Sequence, residues 1–110
     1  MRVRRIPPAG VSLGRAISMP VGGDRMPEIS RFLGIVIKMF YRDHAPPHFH
    51  AVYGEHAIVV YLESGVVEGQ FPSRALSFVL EWYRLHRAEL EEDWRLASER
   101  KPLKAIQPLE

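Results

Sequence analysis

The sequence predicts an α+β fold: an antiparallel meander of four to five short strands, followed by one long or kinked C-terminal helix, or a helix pair, packed on the sheet. Three observations lead there. Short β-branched and aromatic runs separated by glycine turns follow one another from Ile29 to Gly69. After Pro72 the apolar spacing changes to three and four residues. A length of 110 residues, 46% hydrophobic and 25% charged, is that of one globular domain.

Residues 1–25 carry no sustained periodicity and are punctuated by Pro7, Pro8, Gly10, Gly14, Pro20, Gly22 and Gly23. They read as a flexible N-terminal arm. Composition changes sharply at Met26, so a start at Met26, with 1–25 an upstream extension of the reading frame, competes with the arm. Residues 26–110 then form the single α+β domain. Ile29–Leu33 and Ile35–Tyr41 read as strands parted at Gly34, with Lys38 leaving one face half exposed. A proline-containing loop, Arg42 to Pro47, leads into a third strand, His48–Tyr53. Gly54-Glu55-His56 signals a hairpin turn, and Ala57–Leu62 a fourth strand. Glu63-Ser64-Gly65 is another turn before a short fifth strand, Val66–Gly69. Consecutive short strands with tight turns imply antiparallel pairing.

Ser73 is the expected N-cap of the helical part. Leu76, Val79, Leu80, Tyr83, Leu90, Trp94 and Ala97 keep one face to about Glu99. No Pro or Gly breaks the run, which favours one continuous helix. Against that, about 27 helical residues would span roughly 40 Å and overhang strands of five to seven residues; a kink near His86-Arg87 would relieve this. An overhanging half would offer Glu89, Glu91, Glu92, Asp93 and Trp94 as a partner surface. The end, Pro102 to Leu109, reads as extended and apolar.

Composition removes several function classes. The chain has no cysteine, hence no disulfide, thiolate site or cysteine nucleophile. No apolar run approaches the roughly 18–20 residues of a membrane span, and no apolar stretch follows the basic N-terminus as in a secretory signal. A cytoplasmic location is the default expectation. The net charge of +2 is unevenly placed. Residues 1–25 hold five arginines against one aspartate, a net of +4; residues 26–110 hold ten basic and twelve acidic side chains, a net of −2. Phosphate contacts dominate nucleic-acid affinity, so the charge of the domain argues against nucleic acid as partner.

Chemistry concentrates in Asp43-His44-Ala45-Pro46-Pro47-His48-Phe49-His50. In a strand, side chains two residues apart share a face, so His48 and His50 point the same way, with Cα atoms about 6.6 Å apart. Phe49, Ala51 and Tyr53 then face the core. The prolines stiffen the link from His44 to His48. Extended at about 3.1 Å per residue, it would hold His44 roughly 12 Å from His48. If Ala45-Pro46 or Pro46-Pro47 is cis, the loop folds back and Asp43 or His44 can join the pair. Asp43 can also orient an imidazole through Nδ1–H. The candidate catalytic residues are therefore His48, His50, Asp43 and His44, and the candidate metal ligands His48, His50 and His44, for zinc or manganese. A purely structural role and an anion or small-molecule site compete with metal, because His-x-His alone falls short of the three or four ligands a stable site needs. Glu55 or His56, past the turn, is placed in sequence to complete one. The spacing His-x-His-x4-Glu is similar to the first metal motif of cupins, but Arg42 replaces its preceding glycine and the helical last third lacks the second motif. The run also begins like the histidine triad of nucleotide hydrolases, with Val52 where the third histidine belongs.

Among other binding candidates, Trp82 and Trp94 serve either packing or an interface. The acidic run from Glu89 to Asp93 reads first as a solvated face and second as a surface for a basic partner. Arg42 either pairs with Asp43 or holds an anion. His86 reads as an ordinary helix-surface histidine.

From Met26 onward the chain resembles domain-of-unknown-function family 4160, a group of small stand-alone prokaryotic proteins. The residues that carry the resemblance are Met26-Pro27-Glu28-Ile29, the block from Tyr41 to His50, Glu81-Trp82, Trp94 and Lys101-Pro102-Leu103. Residues 1–25 depart from that family's usual start. Genes of the family often neighbour a second small gene, a layout that implies a two-gene, toxin–antitoxin-like module. The leading expectation is accordingly an uncharacterised interaction protein that binds a small partner encoded nearby. The alternative is a metal- or anion-dependent hydrolase or nuclease using the His48/His50 pair.

Overall fold

The computed structural model describes Val3–Arg4 and residues 27–110. The meander expected from the glycine turns is present. Strands β2 (Glu28–Phe32), β3 (Ile35–Lys38), β4 (His48–Tyr53), β5 (His56–Tyr61) and β6 (Val67–Gln70) pair antiparallel in sequence order. A two-residue strand, β1 (Val3–Arg4), adds to the outer side of β6 in parallel. The remainder of the expected arm, with the question of a start at Met26, lies outside the described residues.

The turns explain the pairing. Leu33 and Gly34 both have positive φ, 51° and 81°, the conformation that closes a two-residue hairpin with the twist of its strands. Gly54, at φ 60°, plays the same part between β4 and β5. The second strand ends at Lys38, earlier than Tyr41, because residues 39–47 leave the ladder to form the loop. His56 is the first residue of β5 rather than part of the turn.

Pairing register sorts the side chains into two faces. Phe32, Ile35, Ile37, Phe49, Ala51, Ile58, Val60 and Val67 are buried on one of them. Helix α1 (Ser73–Leu85) covers that face with Ala75, Val79, Trp82 and Tyr83. Phe49 meets Trp82 edge-on at 5.6 Å between ring centroids, and the Tyr83 hydroxyl donates to the Leu62 carbonyl. The opposite face carries Val36, Lys38, His48, His50, Val52, Val59 and Tyr61 and is only partly covered.

One helical expectation is corrected, and of the helical alternatives the pair with its break near His86-Arg87 is the one present, against the continuous run that the lack of Pro and Gly favours. Ser73 is not the N-cap: it is already helical, and the Pro72 carbonyl accepts the first helical bond, from Leu76 at 2.9 Å. Proline suits the place because its fixed φ and missing N–H cost nothing at a helix start. The helix is also not continuous. It breaks at His86 (φ −120°, ψ 25°), and α2 (Arg87–Ser98) starts afresh. The His86 N–H is shared between the carbonyls of Trp82 and Tyr83, while its Nδ1 bonds the Glu89 carboxylate one turn into α2. α2 packs back on the core through Leu90 and Ala97, so no overhanging half exists among the described residues.

The chain after α2 is extended, as expected, and docks on β2. Ile106 N–H donates to Ile29 O at 2.8 Å, and the Ser30 hydroxyl donates to Ile106 O at 2.9 Å. Trp82 Nε1–H donates to Gln107 O. Asp93, expected on a solvated acidic face, is instead fully buried and accepts the Lys104 N–H at 2.9 Å; burial pushes its carboxyl above the usual range, against that hydrogen bond. Glu89, Glu91 and Glu92 do face solvent, paired with His86, Arg87 and Arg95. Among the described residues no helix is long and apolar enough to cross a membrane.

Candidate functional site

The site grows from the alternation of β4. Phe49 and Ala51 are wholly buried in the core, so His48 and His50 must lie on the opposite face, as period two requires. Tyr53, expected with the core set, sits at the strand end, half out of it, against Phe71. The β3–β4 register sets Lys38 opposite His50, and the β4–β5 register sets Tyr61 opposite His48.

The loop supplies the third group. Met39 anchors its start in the core, and Pro47 O accepts the Leu62 N–H at its end. The Ala45–Pro46 bond is cis, and the loop folds back so that Asp43 stands over the two histidines. Asp43 Oδ2 lies 2.8 Å from His48 Nε2 and 3.3 Å from His50 Nε2. Its other oxygen, Oδ1, accepts the His44 N–H at 2.9 Å.

His48 is fixed at both ends. Its Nδ1–H donates to Pro46 O at 2.7 Å, and a carbonyl can only accept, so this nitrogen keeps a proton. Nε2, facing the Asp43 carboxylate, carries a second one, which makes the ring an imidazolium beside an aspartate. Burial opposes the charge on His48. The Asp43 and Pro46 hydrogen bonds and the negative charges of Asp43 and Glu68 outweigh it, and the His48 pKa is raised. Burial likewise opposes the Asp43 carboxylate. Hydrogen bonds from His48 and His50, the His48 charge and the His44 N–H overcome it and hold the carboxyl well below the usual range.

Aromatic rings wall the pair. Phe40 stacks on His50 with centroids 4.3 Å apart and planes at 17°. Trp94 of α2 and Tyr61 approach the His48 ring to 5.2 Å and 5.6 Å. A packed wall and hydrogen-bonded partners restrict both imidazoles to one orientation, the condition for a site held in working geometry.

One ligand atom each from Asp43, His48 and His50 falls within 4.8 Å of the others, so the group can hold a metal ion. At zinc–ligand lengths of about 2.0–2.2 Å, neighbouring ligands of a tetrahedral ion are roughly 3.3–3.5 Å apart; the Asp43–His50 distance of 3.3 Å has that spacing, and the Asp43–His48 hydrogen bond of 2.8 Å must lengthen to reach it. The Nδ1–H bond from His48 to a backbone carbonyl is the outer support that orients metal-binding imidazoles.

Other candidates from the sequence are placed elsewhere. His44 is 90% exposed; its ring meets Oδ1 of Asp43 at 3.1 Å and lies 6.0 Å from the His48 ring, and it stays outside the three-atom group. Arg42 is exposed at φ 56° and forms no ion pair with Asp43 among the described residues. Trp82 is completely buried between sheet and tail, with no face left for a partner. Trp94 is half-buried against His48. Glu55 and His56 are exposed at the β4–β5 turn and do not join the group. His86 is half-buried against Trp82. Phe40, Lys38 and Tyr61 were not among the expected site residues. Period two from Lys38 to Phe40 was a usable signal for those two; Tyr61 required the strand register.

A family model described as a domain of unknown function (DUF4160) matches residues 34–95, which include the loop, both histidines and Trp94. No curated protein and no solved structure matches the chain.

Proposed function

We propose a function, for a chain that belongs to the DUF4160 family, from the site itself: Asp43, His48 and His50 bind a divalent metal ion, zinc or manganese, and support a hydrolytic reaction. The observation that carries this reading is the position of Asp43 Oδ2, 2.8 Å and 3.3 Å from two Nε2 atoms, with the His48 ring already oriented by Pro46 O. Two histidines and one carboxylate leave coordination positions free for water and substrate, as in hydrolytic zinc sites. Asp43, His48 and His50 would hold the ion, which when bound would supply Lewis-acid activation of water and of an ester or phosphoryl oxygen. The chain's part is to hold the three donors, to give up the His48 Nε2 proton to solvent when an ion loads, and to restrict the imidazoles by Phe40 and Trp94.

Titration of metal-stripped protein with zinc or manganese tests this by calorimetry and by melting temperature. A ligand at a hundred times its Kd stabilises the folded state by about 2.7 kcal/mol, so a rise of several degrees is expected, lost in Asp43→Ala and His50→Ala. Wild-type protein that neither binds nor is stabilised by either ion at micromolar concentration overturns the reading.

A second reading is an interaction protein of a two-gene, toxin–antitoxin-like module that binds a small partner protein. Leu33 at 57% and Leu85, the last residue of α1, at 64% exposure support it. Co-expression with the neighbouring gene product and pull-down tests it: a stoichiometric complex weakened by Leu85→Lys is expected, and no complex at micromolar concentration sinks it.

A further inference from the structure

Among the described residues two cations beside the triad form no ion pair, although the Lys38 charge acts on the Glu28 carboxylate from a distance and helps lower its pKa. Lys38 shares the sheet face of His50 and is its cross-strand partner; Cβ atoms so paired are about 4.5–5.5 Å apart. The other register partner of Lys38 is Glu28, whose two carboxylate oxygens are both taken by Arg31, at 2.8 and 2.9 Å. Arg42 directly precedes Asp43, whose Oδ2 serves His48 and His50 and whose Oδ1 serves His44. Neither Lys38 nor Arg42 has an ion pair among the described residues, although Lys38 is half-buried. Arg42 is further held at φ 56°, a left-handed conformation that is unfavourable for a residue with a side chain.

We propose that Lys38 and Arg42, with the Asp43/His48/His50 centre, form a site for the phosphate group of a small phosphomonoester. The proposal rests on the metal reading above and names its substrate class. A divalent ion on a site with one carboxylate leaves a net of +1, and the two side chains bring this to +3, counting both imidazoles as neutral. Glu68 lies on the same face, bonded to Tyr61 at 3.0 Å, and offsets one charge. The remaining +2 matches a phosphomonoester dianion and exceeds what a carboxylate or neutral ester can balance. A guanidinium meets phosphate oxygens with two parallel hydrogen bonds, and an ammonium meets them as a point charge. A long polyanion is disfavoured, because residues 26–110 carry twelve acidic against ten basic side chains.

The test is calorimetry on zinc- or manganese-loaded full chain with four probes: inorganic phosphate, phenyl phosphate, acetate and a short oligothymidylate. Phosphate and phenyl phosphate are expected to bind and acetate is not. Lys38→Ala and Arg42→Ala are each expected to weaken phosphate about ten- to a hundredfold, the range for a charged hydrogen bond, with metal affinity changed less than threefold. Lys38→Gln and Arg42→Gln give the same readout should an alanine variant fold poorly. If metal binds but phosphate does not, or the variants bind phosphate as wild type does, the phosphate site is overturned and the metal reading stands. If no metal binds, both fall. Oligothymidylate binding tighter per phosphate than phenyl phosphate overturns the monoester assignment.

Discussion

Asp43 is the residue on which the site turns. Its Oδ2 is shared by two imidazoles, and the charges of Asp43 and His48 favour each other. The two shifts act in opposite pH directions. Asp43, depressed from its ordinary 3.8, contributes stability that is present above that value and is lost as pH falls toward its folded pKa. His48, raised from its ordinary 6.5, contributes stability that is complete below 6.5 and is lost as pH rises through its folded pKa. The pair therefore supports metal-free protein most strongly between about pH 4 and 6.5. Melting temperatures of chelator-treated protein across pH 4 to 9 should show wild type losing more than Asp43→Asn as the solution becomes alkaline. Parallel curves for the two proteins would show that the pair contributes nothing.

Which residues were legible follows from how far their partners lie in sequence. His48 and His50 sharing a face needs only period two, and the structure has them there. Asp43 joining them depended on the fold of five residues containing two prolines, where sequence left both outcomes open. Asp93 was misjudged for a different reason. Beside Glu91 and Glu92 it looks like part of a solvated run, and its burial depends on a backbone N–H eleven residues later, at Lys104.

At the scale of elements, glycine turns fixed strand number and order, whereas helix ends were less predictable. The break at His86 has no Gly or Pro to announce it. It arises because a shared N–H and the Glu89 side chain satisfy the junction, while the alternative is a helix longer than the sheet can cover. One strand position is more constrained than its sequence suggests. Gly69 of β6 has φ 112°, and a Cβ there would stand 2.5 Å from the Ala57 carbonyl oxygen of β5. Neither torsion nor space admits a side chain, since the obstacle is backbone rather than a movable side-chain tip. Gly69→Ala should cost roughly 1–3 kcal/mol, read as a lower midpoint in urea with an unchanged slope. A midpoint equal to wild type would mean that β6 moves away from β5 freely.

For the whole molecule, the meander and the helical cover sort function by face. α1 occupies one side of the sheet, where Trp82 belongs to the core and not to a partner. The other side, less covered, holds the histidines at the end of β4 where the loop crosses. The sequence contained the charge split that argues against nucleic acid, but not the two faces onto which the remaining charges fall. Lys38 looked like an interruption of an apolar strand; register makes it the neighbour of His50. Such cross-strand information becomes available only once every hairpin is closed.

The docking of the chain end on β2 has a consequence for how copies of this protein meet. An outermost strand exposes a row of unpaired backbone groups on which the strand of another molecule can grow. Here Ile29 O already receives Ile106 N–H, and Ile106 O is occupied by the Ser30 hydroxyl. The chain thus blocks its own sheet edge with its last residues. Copy-to-copy sheet extension through β2 would first require that segment to peel away, taking Ile106 out of the core and the Gln107 carbonyl from Trp82.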